Sequence, residues 1–131
     1  FATTLLSHRY ARAQKRGRRM SQFGLADFHR LRIRVKRLRY AIEFFLPLVE
    51  HKAQRTLRAL IKLQELLGRL NDDATAWRLL ERLSSADSST DHQQSLGFLR
   101  GWCACDGQLC RNQLEEAWRR FEELQPWSKS P

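Results

Sequence analysis

The chain has 131 residues, about one domain by length, and its 42% hydrophobic and 29% charged residues suffice for one core and a soluble surface, which excludes a wholly disordered chain. No apolar run approaches the roughly 18 residues of a membrane span, and no charged-then-apolar leader follows Phe1. The net charge of +10 is uneven: residues 1–70 hold 17 Lys and Arg against four acids (Asp27, Glu43, Glu50, Glu65), giving +13, whereas residues 71–131 hold seven against ten, giving −3. Charge gathered in one half points to a face that attracts a polyanion rather than to general solubility.

Taken in order, the first predicted element is a helix over Thr3–Arg19, where Leu6, Tyr10, Ala13 and Gly17 form a narrow apolar stripe. Gly24 marks a turn, and Asp27 is placed to cap a second helix from Phe28 to about Leu46, ended by Pro47. A third helix follows, with Ala53, Leu57, Leu60, Ile61, Gln64 and Leu67 on its inner face and a stop at Gly68 with Asn71-Asp72. A short helix over Asp73–Leu83 leads to SSADSSTD, Ser84–Asp91, a loop by composition. Asp91 caps the last element, which reaches Leu124 on Leu96, Leu99, Trp102, Leu109, Leu114, Trp118 and Phe121, as one helix or two broken near Gly107, closed by Pro126. The expected fold is all-α, an antiparallel bundle of about five helices forming one domain over 1–131.

The stretch HRLRIRVKRLRY, residues 29–40, places its charge in a pattern. At 100° per residue, Leu31, Val35, Leu38, Ile42 and Phe45 form the core stripe. His29, Arg32, Lys36 and Arg39 fall on one side of it, and Arg30, Arg34 and Arg37 on the other, with Ile33, Tyr40 and Phe44 between them. The neighbouring helices repeat the theme: His8, Arg12, Lys15 and Arg19 share a face before, and Arg55, Arg58, Lys62 and Arg69 share one after. Several basic faces therefore converge. Like charges at helical neighbours repel by about 0.2–0.5 kcal/mol per pair, a strain that an external polyanion would relieve.

Cys103, Cys105 and Cys110 are an odd number in a C-x-C-x4-C spacing, which fits a reducing cytoplasm and structural thiols better than a disulfide framework or a zinc site. No metal and no cofactor is expected. Asp72 and Asp73 read as a helix cap. Glu115-Glu116 and Glu122-Glu123 are helix neighbours that do not face each other, so no catalytic pair emerges. One reading of the charge is a nucleic-acid-binding helical module; with few Asn, Gln or aromatic residues to read or stack bases, it would be sequence-independent and driven by the phosphate backbone.

HRLRIRVKRLRY, with Asp27 before it and Glu43 after it, resembles the signature of the CHAD family, the conserved histidine α-helical domain. The resemblance continues in LIKLQELLGRLNDDATAW (Leu60–Trp77), in LGFLRGW, and in Trp118, Phe121 and Trp127, so it covers nearly the whole chain. It implies a domain of two similar four-helix halves, each with one basic histidine helix, whose inner surface binds inorganic polyphosphate without catalysis. Here one histidine motif is present and it is closer to the second half. Either the chain is a fragment, or two copies pair as a homodimer to rebuild the pseudo-twofold arrangement. The phosphate-facing set carried over is His29, Arg32, Lys36 and Arg39, with Arg37 on the adjoining face and Lys62; Arg30 and Arg34 are read as serving solubility or a wider field. The resemblance further implies a cytoplasmic protein, at polyphosphate granules or beside a triphosphatase domain of the CYTH type, with polyphosphate as its partner.

Overall fold

The computed structural model describes residues 1–86 and 89–124, apart from the side chains at 50–52. Helix α1 spans Ala2–Gly17, a 3-10 turn covers Met20–Gln22, α2 runs from Leu25 to Ala86, and α3 from Thr90 to Glu122. The chain is an all-α bundle. Among the described residues four helical elements stand in place of the five expected, because two anticipated stops are absorbed inside α2.

Pro47 lies within α2 rather than after a helix end. A straight helix of 62 residues would reach about 93 Å at 1.5 Å per residue, but α2 is folded back on itself. Arg39 Nη1 donates to Gln64 Oε1 at 3.0 Å across 25 residues of the same element, whereas a straight helix would part them by about 37 Å. Farther from the reversal, His29 and Ala74 line one groove. These antiparallel partners converge on a reversal a few residues beyond Pro47, the residue type at which sharp helix kinks concentrate. The first limb thus carries the histidine motif and the second limb lies against it.

The second anticipated stop fails for a different reason. Gly68 costs a helix interior roughly 0.5–1 kcal/mol relative to Ala, but Leu66, Leu67 and Leu70 around it are buried, and each buried leucine contributes about 1.5–3 kcal/mol. Asn71 and Asp72 therefore sit mid-helix, where Thr75 Oγ1 donates to the Asn71 carbonyl at 3.0 Å.

Other boundaries shift by a few residues. Asp27 is the third residue of α2 rather than its cap: its Oδ2 accepts from the Gly24 amide at 3.2 Å, the reach-back half of a capping box. Ser89, not Asp91, precedes α3, and Asp91 stands in its first turn, where a carboxylate favours the helix dipole. Much of the expected loop Ser84–Asp91 is helical at its two ends, and α3 passes Gly107 unbroken. Pro126 and Trp127 lie outside the described residues.

The main core joins all elements. Leu6, Tyr10 and Ala13 of α1 meet Leu31, Val35, Leu38 and Ile42 of the first limb, the stripe expected from the sequence apart from Phe45, which is half-buried. The second limb contributes Ala53, Leu60, Leu63, Leu67 and Leu70, and buried Thr56 falls on the same stripe. This stripe is rotated from the one expected, so Ile61 faces out. On α3 the buried positions are Leu96, Cys103, Cys110, Leu114, Trp118 and Phe121, whereas Leu99, Trp102 and Leu109, expected as anchors, are exposed. Cys103 and Cys110 act as small core residues.

Candidate functional site

The first limb of α2 presents basic side chains on both flanks. On the flank facing the second limb, His29 and Arg32 line a groove of about 590 Å³ with Asn71 and Arg78 opposite. One and two turns on, Lys36 Nζ and the Arg39 guanidinium stand 5.6 and 5.1 Å from the centre of the Tyr40 ring. Arg39 is fixed further by Glu43, with Nε 3.0 Å from Oε1, and by Gln64. His29 and Lys36 are exposed, and Arg32 is half-buried.

The structure places four of the six expected site residues, His29, Arg32, Lys36 and Arg39, in one row on this flank of the first limb; His29, Arg32 and Arg39 reach the seam with the second limb, and Lys36 is exposed beside Tyr40. Arg37 is not among them. It lines a groove on the opposite flank, against α1. Lys62 is exposed on the second limb and pairs with Glu65 at 3.8 Å.

That opposite flank holds the denser charge. Two adjoining compartments of about 610 and 720 Å³ run between α1 and the first limb, and Arg12, Arg16 and Arg34 line both. His8, Arg9, Arg30 and Arg37 complete one, and Lys15, Arg18 and Arg19 the other. Among the described residues, Asp27 is the one acid lining either. Its carboxylate is engaged by Arg16 at 2.9 Å and stands 3.8 Å from Arg30.

Arg34, at the centre, is pushed below the usual guanidinium pKa, first by burial and then by repulsion from Arg12, Arg16 and Arg37. Arg30 and Arg34, read from the sequence as a diffuse field, are thus part of a groove. The signal for it was the stripe His8, Arg12, Lys15 and Arg19 on the preceding helix; Arg9 and Arg16 were missed because they fall off that stripe.

The contact between the second limb and α3 is acidic instead. Arg69 binds Asp106 at 2.8 Å and reaches Gln113 at 3.4 Å. Burial, then the Asp106 carboxylate, raises the Asp73 pKa above the ordinary range, with Arg69 opposing. Cys110 Sγ donates to the Leu66 carbonyl at 3.3 Å, and burial pushes its thiol pKa up. Among the described residues no group of three or more His, Cys, Asp or Glu is disposed to hold a metal ion, and none of the helices is long and apolar enough to cross a membrane.

A helical bundle with rows of guanidinium, ammonium and imidazole groups along two seams defines a class of helical domain suited by its charge to anionic chains. The chain belongs to the CHAD domain family, whose model matches residues 1–81, a span that takes in α1, the first limb and most of the second. No curated protein and no solved structure matches the chain.

Proposed function

We propose that the protein binds inorganic polyphosphate without catalysis, through His29, Arg32, Lys36 and Arg39. The observation that carries this reading is their alignment on one flank of the first limb. A flexible chain with about one charge per phosphate is held by a row of cations rather than by a single pocket. Arginine grips phosphate oxygens through its planar fork and lysine as a point charge. His29, at the open end of the row, donates to a phosphate oxygen through a ring N–H. Arg37 and Lys62 add to the field from their own faces.

A binding role is also supported by the acids near the row. Glu43 is engaged by Arg39 and Glu65 by Lys62, which leaves them poorly placed as general bases. In the cell the protein would act in the cytoplasm, beside a triphosphatase domain of the CYTH type or at polyphosphate granules. A second histidine helix, from the same longer chain or from a second copy, would face the row.

The test is a titration with long polyphosphate, short oligophosphate and duplex DNA at two salt concentrations, repeated on Arg32→Ala/Lys36→Ala/Arg39→Ala. Binding is expected to tighten with polyphosphate length and to be lost in the triple variant while its helical circular dichroism persists. Equal affinity for DNA with equal sensitivity to the variant would overturn the specificity. Phosphate release during the titration would overturn the non-catalytic reading.

A further inference from the structure

We propose that the groove between α1 and the first limb is a second binding track for a phosphate chain, independent of the row on the opposite flank. The first limb would then be gripped from both sides. The choice of ligand rests on the polyphosphate reading; the existence of the second track rests on its own geometry.

That geometry is an open channel rather than a patch. The two compartments, about 720 and 610 Å³, share Arg12, Arg16 and Arg34 and so form one path along α1. On α1, Arg9, Arg12, Lys15 and Arg16 bring at least one cation per turn to it, a rise of about 5.4 Å, and Arg19 adds one just beyond the helix end. A row of this kind suits a repeating anion, as the row on the other flank does.

The internal charge balance leaves this row unneutralised. Among the described residues Asp27 is the single acid in the lining, and Arg16 and the Gly24 amide already engage it. Arg34 lies among three other guanidinium groups, and burial first, then their repulsion, disfavours its charge. Anion binding reverses the sign of this interaction: each oxygen placed between two guanidinium groups replaces repulsion with charge-assisted hydrogen bonds.

The lining also favours a chain without bases. Among the described residues its one aromatic is Phe23, which has Arg16 over its ring at 5.8 Å and meets the Phe28 ring in a T-shaped contact at 5.3 Å, so the face under Arg16 is not open to a stacked base. Ile33 and Tyr40, partly exposed between the two basic stripes, separate this track from the row of His29, Arg32, Lys36 and Arg39.

The experiment is calorimetric titration with tripolyphosphate on four proteins: the parent chain, Arg12→Gln/Lys15→Gln/Arg34→Gln, Arg32→Gln/Lys36→Gln/Arg39→Gln, and the combination. Arg16 is left in place because it holds Asp27. Two equivalents are expected for the parent, one for each triple variant and none for the combination, where "none" means weakened by about tenfold or more. The α1-side variant should also melt higher than the parent without anion, since it removes repulsion. If that variant keeps both equivalents, or weakens both sites evenly without losing one, the second track is refuted. If the α1-side variant loses an equivalent while the opposite-flank variant loses none, the second track stands and the row proposed as the polyphosphate site falls. A parent that binds no tripolyphosphate refutes both.

Discussion

Gly17 closes α1 directly under the indole of Trp118: a Cβ built on Gly17 would lie 1.9 Å from Cζ2 of that ring. The ring is buried and packs on Phe121 with centroids 5.1 Å apart, so it has little room to withdraw. Gly17→Ala would ordinarily stabilise a helix by roughly 0.5–1 kcal/mol. Here the overpacking reverses the sign, and a net loss of about 1–3 kcal/mol is expected in chemical denaturation. An unchanged or raised midpoint would show that α1 and α3 are not in contact at this point.

A neighbouring contact gives a milder variant. Tyr10 donates its buried hydroxyl to the Phe121 carbonyl at 2.8 Å, and that carbonyl also accepts from the Leu124 amide at 3.3 Å. Tyr10→Phe therefore leaves no orphaned carbonyl. It should cost only about 0.5–1.5 kcal/mol, the net worth of one hydrogen bond, measured as a shift in urea midpoint at constant slope.

Asp73 gives a pH signature. Its folded pKa is raised, so the folded state holds that proton more tightly than the unfolded chain does. The contribution to stability is full below the ordinary aspartate pKa of about 3.9 and is lost as pH rises through the raised value. Asp73→Asn should melt above the parent at neutral pH, and the gap should close as pH falls to the ordinary carboxylate range. A gap independent of pH would exclude titration of Asp73 as its cause.

Repulsion around Arg34 gives a salt signature. With a Debye length of about 10 Å at 0.1 M salt, adding sodium chloride to a dilute buffer should raise the melting temperature of the parent. Arg34→Gln should start higher and respond less. Identical salt slopes for the two proteins would show that the α1 cluster stores no repulsion.

The thiols should divide by burial. Cys105 is exposed, whereas Cys110 is buried with its proton on the Leu66 carbonyl. Iodoacetamide on the native protein should label Cys105 first and reach Cys110 only on unfolding, as read by peptide mass mapping.

Much of the fold was legible because the apolar stripes of α1 and the first limb, Leu6–Tyr10–Ala13 and Leu31–Val35–Leu38–Ile42, follow a clean helical period. What misled was local chemistry overridden by packing. Gly68 reads as a stop, yet buried leucines on both sides carry the helix through it, and Pro47 reads as an end but lies close to the point where α2 folds back on itself. On α3, large side chains read as anchors, but Cys103 and Cys110 fill the core because α3 lies close to the second limb there. For the site, helical angles alone separated Arg37 from the row of His29, Arg32, Lys36 and Arg39. They could not show that α1 lies beside Arg34, because that depends on an element distant in sequence.

The hold of α3 on α1 also orders events during synthesis. Tyr10 meets its partner 111 residues later, so while the chain grows from its N-terminus, α1 can lie on the first limb, with Arg16 on Asp27, but lacks the cover that α3 supplies. The long separation makes this closure late and entropically costly. Until Phe121 has left the ribosome, the basic α1 of the nascent protein is held from one side only.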